Sequence, residues 1–170
     1  MVETVKYEIT RKLDRVEIRH YPKMVIAKVE GYGENGFNLL FRFISGDNKQ
    51  KTKVKMTAPV VSQRIEMTAP VLSDSDSLAF IMPSEYRLDT TPEPLDDRVK
   101  ILELPERNLA VLRFSGRWTN SLFKKKTKEL LEEIEKTKIK TKGTVFSMLY
   151  NAPFTPSFMR RNEVAIEIEP

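Results

Sequence analysis

Few side chains in this chain could do chemistry. His20 is the single imidazole and there is no cysteine, so a thiol nucleophile, a disulfide framework, a zinc ribbon and a multi-histidine metal site are excluded. A Ser-His-Asp triad would need His20 as its base. Tyr150 and Glu163 could serve as an acid and a base, but no triad or metal set accompanies them. Arg160-Arg161 and Arg42 carry guanidinium forks of the shape that suits carboxylates, with an ion pair to Glu163 as the plainer role. Lys124-Lys125-Lys126 and Lys138-Ile139-Lys140 read as solvated charge on and beyond a helix, not as a nucleic-acid surface.

The densest pattern is a doubled heptapeptide. Lys55-Met56-Thr57-Ala58-Pro59-Val60-Val61 recurs eleven residues on as Glu66-Met67-Thr68-Ala69-Pro70-Val71-Leu72. Alternation places Val54, Met56, Ala58 and Val60 on one face and the threonines on the other. A hairpin about Ser62-Gln63 would set Met56 opposite Ala69 and Ala58 opposite Met67, large against small. The prolines remove ladder donors and point to an edge or a bulge.

The elements that must position these residues come in two similar runs. In the first, Tyr7–Thr10, Val16–Arg19 and Met24–Glu30 read as strands, and Phe37, Leu40, Phe41 and Ile44 mark one face of a helix closed by Gly46. In the second, Val99–Leu104 and Leu109–Phe114 read as strands, then a helix runs from a cap at Thr119 or Asn120 to about Lys136. Its inner stripe is Phe123, Thr127, Leu130 and Ile134. Strands Thr144–Tyr150 and Glu163–Ile168 follow, separated by a proline-rich connection. The expected fold is α+β: a distorted antiparallel β-barrel from two pseudo-symmetric ββαββ halves, about 5–83 and 97–170, with two flanking helices. His20 falls in the turn before Tyr21-Pro22, with no orienting partner evident.

With 170 residues, 40% hydrophobic and 31% charged, the chain is long enough for a core without staples and reads as soluble. Its net charge of +5 permits anionic partners without requiring them. No apolar run approaches a membrane span and no signal-type segment follows Met1, so the cytoplasm is the expected location and a monomer the expected state.

The doubled Met-Thr-Ala-Pro-Val resembles the SOUL/haem-binding protein family. So do Val16-Glu17-Ile18-Arg19 with Tyr21-Pro22, Phe80–Tyr86, Ala110–Trp118, Tyr150–Pro156 and Arg160-Arg161-Asn162-Glu163. The resemblance runs from about Tyr7 to Ile168. It implies a single domain with an open apolar pocket that binds haem or another tetrapyrrole non-covalently, without catalysis. Carried onto this sequence, the apolar shelf is Phe37, Leu40, Phe41 and Ile44 with Phe154, Phe158 and Met159, between the first helix and the Pro153–Met159 loop. Arg42, Arg160 and Arg161 are the cations for the propionates. His20 is a remote candidate for an axial ligand. The kinship in fold with drug-sensing effector domains keeps two alternatives open, an apolar-cation binder using Glu163 and a hydrolase.

Overall fold

A computed structural model describes residues 3–31, 35–63, 76–151 and 154–170. In chain order the elements are β1 (Glu3–Thr4), β2 (Glu8–Leu13), β3 (Val16–Tyr21), β4 (Met24–Glu30), α1 (Asn35–Ile44), β5 (Thr57–Ala58), β6 (Val60–Gln63) and β7 (Ser77–Ile81). Then come β8 (Lys100–Leu104), β9 (Arg107–Phe114), α2 (Asn120–Glu135), β10 (Thr141–Leu149), a short 3-10 turn (Ser157–Met159) and β11 (Asn162–Ile168). The chain divides into two compact units: residues up to Val5 with Lys23–Pro105, and Lys6–Pro22 with Glu106–Pro170.

In the first unit the antiparallel strands run in the order β6-β7-β4-β8. β4 is apolar on both faces. Val25, Ala27 and Val29 meet Leu39, Leu40, Phe43 and Ile44 of α1, while Ile26 packs with Ala79 and Ile81 on the other side. α1 starts close against β4, since a Cβ on Gly36 would lie 3.0 Å from a Val29 methyl. It ends where Gly46 turns to φ 114°. There Asp47 N–H donates to Arg42 C=O and Gly46 N–H to Phe43 C=O, which satisfies the last carbonyls. Asn48, 1% exposed, locks the following loop: its amide donates to Phe43 and Thr52 carbonyls and its oxygen accepts from Thr52 N–H.

In the second unit the order is β2-β3-β9-β11-β10, again antiparallel. α2 packs on β9 and β11. Its buried residues are Phe123, Thr127, Leu130 and Ile134, the expected stripe, and Thr119 caps it by accepting from Leu122 N–H at 3.1 Å. Trp118 lies between Phe114 of β9 and Phe123 of α2, so the even-numbered side of β9 is the side that α2 covers.

The expected α+β class with two ββαββ-type runs and one helix per unit is what the chain adopts. The units share one wiring: β8-β4-β7-β6 with α1 after β4, and β3-β9-β11-β10 with α2 after β9. They do not coincide with the sequence halves. The first two strands of the first run, β2 and β3, lie in the second unit, where β3 pairs with β9, and the leading strand of the second run, β8, lies in the first unit on β4. Alternation fixes which side of a strand is apolar, not which neighbour it takes, and so cannot reveal this exchange.

The doubled motif needs a correction. Ser62 and Gln63 are not a turn; they lie in β6, opposite Leu78 and Ser77 of β7. Met56 is half-buried and packs on the core of its unit, as Val54 and Val60 do. Thr57 is buried too, and among the described residues its hydroxyl has no hydrogen-bond partner. The Ala58–Pro59 bond is cis. Met67 and the rest of the second copy lie outside the described residues.

Candidate functional site

The shelf expected on α1 is divided by burial. Leu40 and Ile44 point into the core of the first unit and are 0% and 5% exposed, so they cannot form an open shelf. Phe37 and Phe41, 42% and 51% exposed, remain outside. Their rings stack 6.1 Å apart at 12°, and the edge of Phe37 meets buried Phe80. Beside them Asn35, Asn38, Leu39, Phe41, Arg42 and Arg98 line an open cleft of about 470 Å³. Arg98 is held by Asp96 at 2.6 Å, with its side-chain and backbone hydrogen bonds taking the Asp96 carboxyl down to about 2. Arg42 makes no ion pair among the described residues. A larger cleft of about 750 Å³ along β4 and β8 mixes Lys28, Glu30, Asp97 and Lys100 with apolar groups, a lining less suited to a flat apolar ring.

In the second unit Phe154, Phe158 and Met159 are all well exposed. The Arg160 side chain is turned back, donating to Thr155 C=O at 2.9 Å. Arg161 is committed to a carboxylate of the chain itself.

That commitment belongs to a polar face of the second sheet, opposite the side that α2 covers. Arg19 (1% exposed) and Glu163 (0%) meet in a bidentate pair, Nη1 to Oε1 at 2.9 Å and Nη2 to Oε2 at 2.7 Å. Arg19 also donates to Tyr21 Oη and to Glu17. Arg161 reaches Glu163 Oε2 through Nε and Nη2, and donates from Nη2 to Tyr7 Oη at 2.8 Å. Tyr7 stacks under Arg19 at 4.1 Å and Tyr150 under Arg161 at 3.9 Å. Burial alone would raise the Glu163 carboxyl; the hydrogen bonds and charge of Arg19, then the charge of Arg161, outweigh it and hold the group below the usual range. Burial pushes Tyr21 up to about 12 against the pull of Arg19, and raises Tyr150 as well, with Glu163 adding to it. The Tyr150 hydroxyl is buried beside Glu163, and among the described residues it has no hydrogen bond of good geometry.

Chemically, Glu163 is an ionised carboxylate clasped by two guanidinium groups. It is a poor base and offers little net charge to a cation, which weighs against both the hydrolase and the apolar-cation alternatives. Adjacency in sequence marked Arg161 and Glu163. Arg19 and Tyr7 were not legible, because their partners lie 144 and 154 residues away.

His20 also needs correction. It is in β3, not a turn, and it has a partner: its Nδ1 lies 2.8 Å from Asn108 Oδ1, its cross-strand neighbour. Its Nε2 faces the Glu106 carboxylate at 3.6 Å. Among the described residues no group of three or more His, Cys, Asp or Glu could hold a metal ion, and no helix is long and apolar enough to cross a membrane.

Comparison with known proteins fits this architecture. The overall fold is shared with an uncharacterized conserved protein from Listeria innocua (TM-score 0.68, 12% identity, 94% of each chain) and with a hydrolase from the same organism (TM-score 0.67, 11% identity, 91% and 92%). It is also shared with the C-terminal domain of EcmrR (TM-score 0.63, 8% identity, 96% and 98%). At these identities the likeness is one of fold alone. By sequence, residues 2–167 match the SOUL heme-binding protein family, and the chain belongs to it. It is 31% identical over 161 residues to heme-binding protein 2 of Mus musculus, covering 87% of this chain and 75% of that one. It is 36% identical over 108 residues to heme-binding protein 2 of Homo sapiens, 59% of this chain and about half (52%) of that one.

Proposed function

We propose that the chain binds haem or a related tetrapyrrole non-covalently, and holds it without transforming it. One observation carries the reading: a SOUL-family chain presents two parallel, half-exposed phenylalanines on α1, with Arg42 next in sequence. These residues fit a flat apolar ring with anionic arms. Phe37 and Phe41 offer aromatic faces, and Arg42 offers a guanidinium that makes no ion pair among the described residues. Apolar contact supplies most of the affinity, at about 25 cal/mol per Å² before the cost of association. Bound haem would supply a redox-active iron; the α1 residues supply binding and orientation only. Phe154, Phe158, Met159 and Arg160 are a second exposed set, tested separately.

The test is an absorbance titration with haem. Phe41→Asp should weaken binding at least tenfold and Arg42→Ala by a smaller factor, while His20→Ala leaves it near the parent value. Phe158→Asp reads the contribution of the 154–159 connection. Loss of binding in His20→Ala alone would show that axial ligation dominates. Absence of saturable binding by the parent would sink the proposal.

A further inference from the structure

The connection between β10 and β11 holds three large apolar side chains out in water. Phe154, Phe158 and Met159 are 89%, 78% and 63% exposed. One such residue is ordinary on a surface; three in one short connection form a patch that calls for a partner. The backbone that carries them is tied down. Met159 N–H donates to Pro156 C=O and Arg160 N–H to Ser157 C=O, closing the 3-10 turn. Gly116 N–H donates to Ser157 C=O at 3.0 Å, Asn162 Nδ2 donates to Gly116 C=O at 2.9 Å, and Arg160 Nε donates to Thr155 C=O. The tip thus spends its backbone groups on the body of the second unit and presents its apolar side chains outward.

Charge around the tip selects the partner. The stretches 107–128 and 143–162, which run through β9, the start of α2, most of β10 and the tip itself, contain no Asp or Glu. The first of them holds seven Lys and Arg. Arg117, next to the Gly116 that clasps the turn, and Lys124 and Lys125 of α2 are exposed, and among the described residues their side chains make no hydrogen bond or ion pair. Arg160 and Arg161 are spent inside the fold, on Thr155 and Glu163. Apolar side chains within a cationic collar fit the boundary between anionic headgroups and acyl chains, the rings and thioether entering and the cations staying at headgroup level. Unlike Phe37 and Phe41, Phe154 and Phe158 make no ring contact among the described residues, so the tip is a wedge and not a stacking platform, which favours acyl chains over nucleic-acid bases. We infer that the 154–159 connection is a peripheral anchor that seats the second unit on an anionic lipid surface. The inference uses residues of that unit alone and does not rest on the tetrapyrrole reading.

The test is co-sedimentation of the full chain, without haem, with vesicles of phosphatidylcholine alone and of phosphatidylcholine mixed with phosphatidylglycerol. The mixed vesicles should bind the chain saturably, and the neutral ones at least tenfold more weakly. Phe154→Ser combined with Phe158→Ser should lower binding to the mixed vesicles at least tenfold, and Arg117→Glu with Lys124→Glu by a similar factor. Lys138→Glu with Lys140→Glu, the same change of charge beyond the other end of α2, should bind close to the parent. In Phe158→Trp the added indole should be quenched by lipids brominated on the acyl chain, with Trp118, the single native tryptophan, as the baseline. No sedimentation with mixed vesicles, equal binding to both vesicle types, full binding by the double variant at 154 and 158, or an unquenched indole would overturn the inference. Tighter binding of a single-stranded oligonucleotide than of the mixed vesicles would overturn it in favour of nucleic acid. If the double variant fails to fold, the quenching in Phe158→Trp decides.

Discussion

The pairing of Arg19 with Glu163 sets the energetics at the scale of single residues. Glu163→Gln leaves a fully buried guanidinium without its bidentate partner, and such broken buried pairs cost about 3–5 kcal/mol. Chemical denaturation of the variant should show that loss, and Arg19→Met combined with Glu163→Met should recover part of it. The pH dependence follows from the same group. Glu163 titrates below its ordinary value in the folded chain, so its contribution is present above the unfolded-state pKa and is lost as pH falls through the lower folded value. Stability should therefore drop on acidification below about pH 4, the ordinary glutamate range, and Glu163→Gln should flatten that drop. Tyr21 works at the other end. Its pKa is raised from 10.0 to about 12, so its contribution holds below 10 and fades as pH rises toward 12. Ultraviolet titration should find Tyr21 ionising near 12, with Tyr150 raised as well. None of this network could be read by periodicity, since it joins charged residues across three strands. What is legible is the chemistry of the types: adjacency marks Arg161 and Glu163 as an ion pair.

Helix α2 and the loop after α1 show how far pattern reading reaches for whole elements. The 3.6-residue recurrence of Phe123, Thr127, Leu130 and Ile134 gave the buried face of α2 correctly, because a single stripe against a sheet is what such a period encodes. Leu130, 0% exposed, should cost about 2–5 kcal/mol when cut to Ala, and Thr119→Ala about 1 kcal/mol through the lost cap; thermal melts will order them that way. On α1 the same logic assigned Phe37, Leu40, Phe41 and Ile44 to one face, yet the helix buries Leu39, Leu40, Phe43 and Ile44 and leaves both phenylalanines half out. Two apolar rows compete for one core on so hydrophobic a helix, and sequence does not say which row wins. The doubled motif misled for a related reason. Likeness between two segments does not dictate pairing between them, and β6 finds its partner in β7. Asn48, past the Gly46 stop, falls in no periodic pattern that could mark it. Its three hydrogen bonds make Asn48→Leu a loss of about 1–3 kcal/mol, measurable by denaturant unfolding.

For the whole molecule, the exchange of leading strands changes what a break in the chain would do. The segment between the two runs carries exposed residues such as Asp89, and a protease site placed there would yield two fragments. The first would keep β3 but lose the β9 on which it lies; the second would keep β8 but lose β4. Neither piece holds a complete sheet, so each alone should be unfolded by circular dichroism. Together they carry every described strand of both units, and the cut removes none of the pairings of those strands. The nicked protein should elute as one non-covalent heterodimer, and separately expressed fragments should fold on mixing. Two independently folded pieces would show that the exchanged strands are dispensable. In this chain the peptide link between the runs is a tether, and the reciprocal gift of strands, β2 and β3 one way and β8 the other, is the bond.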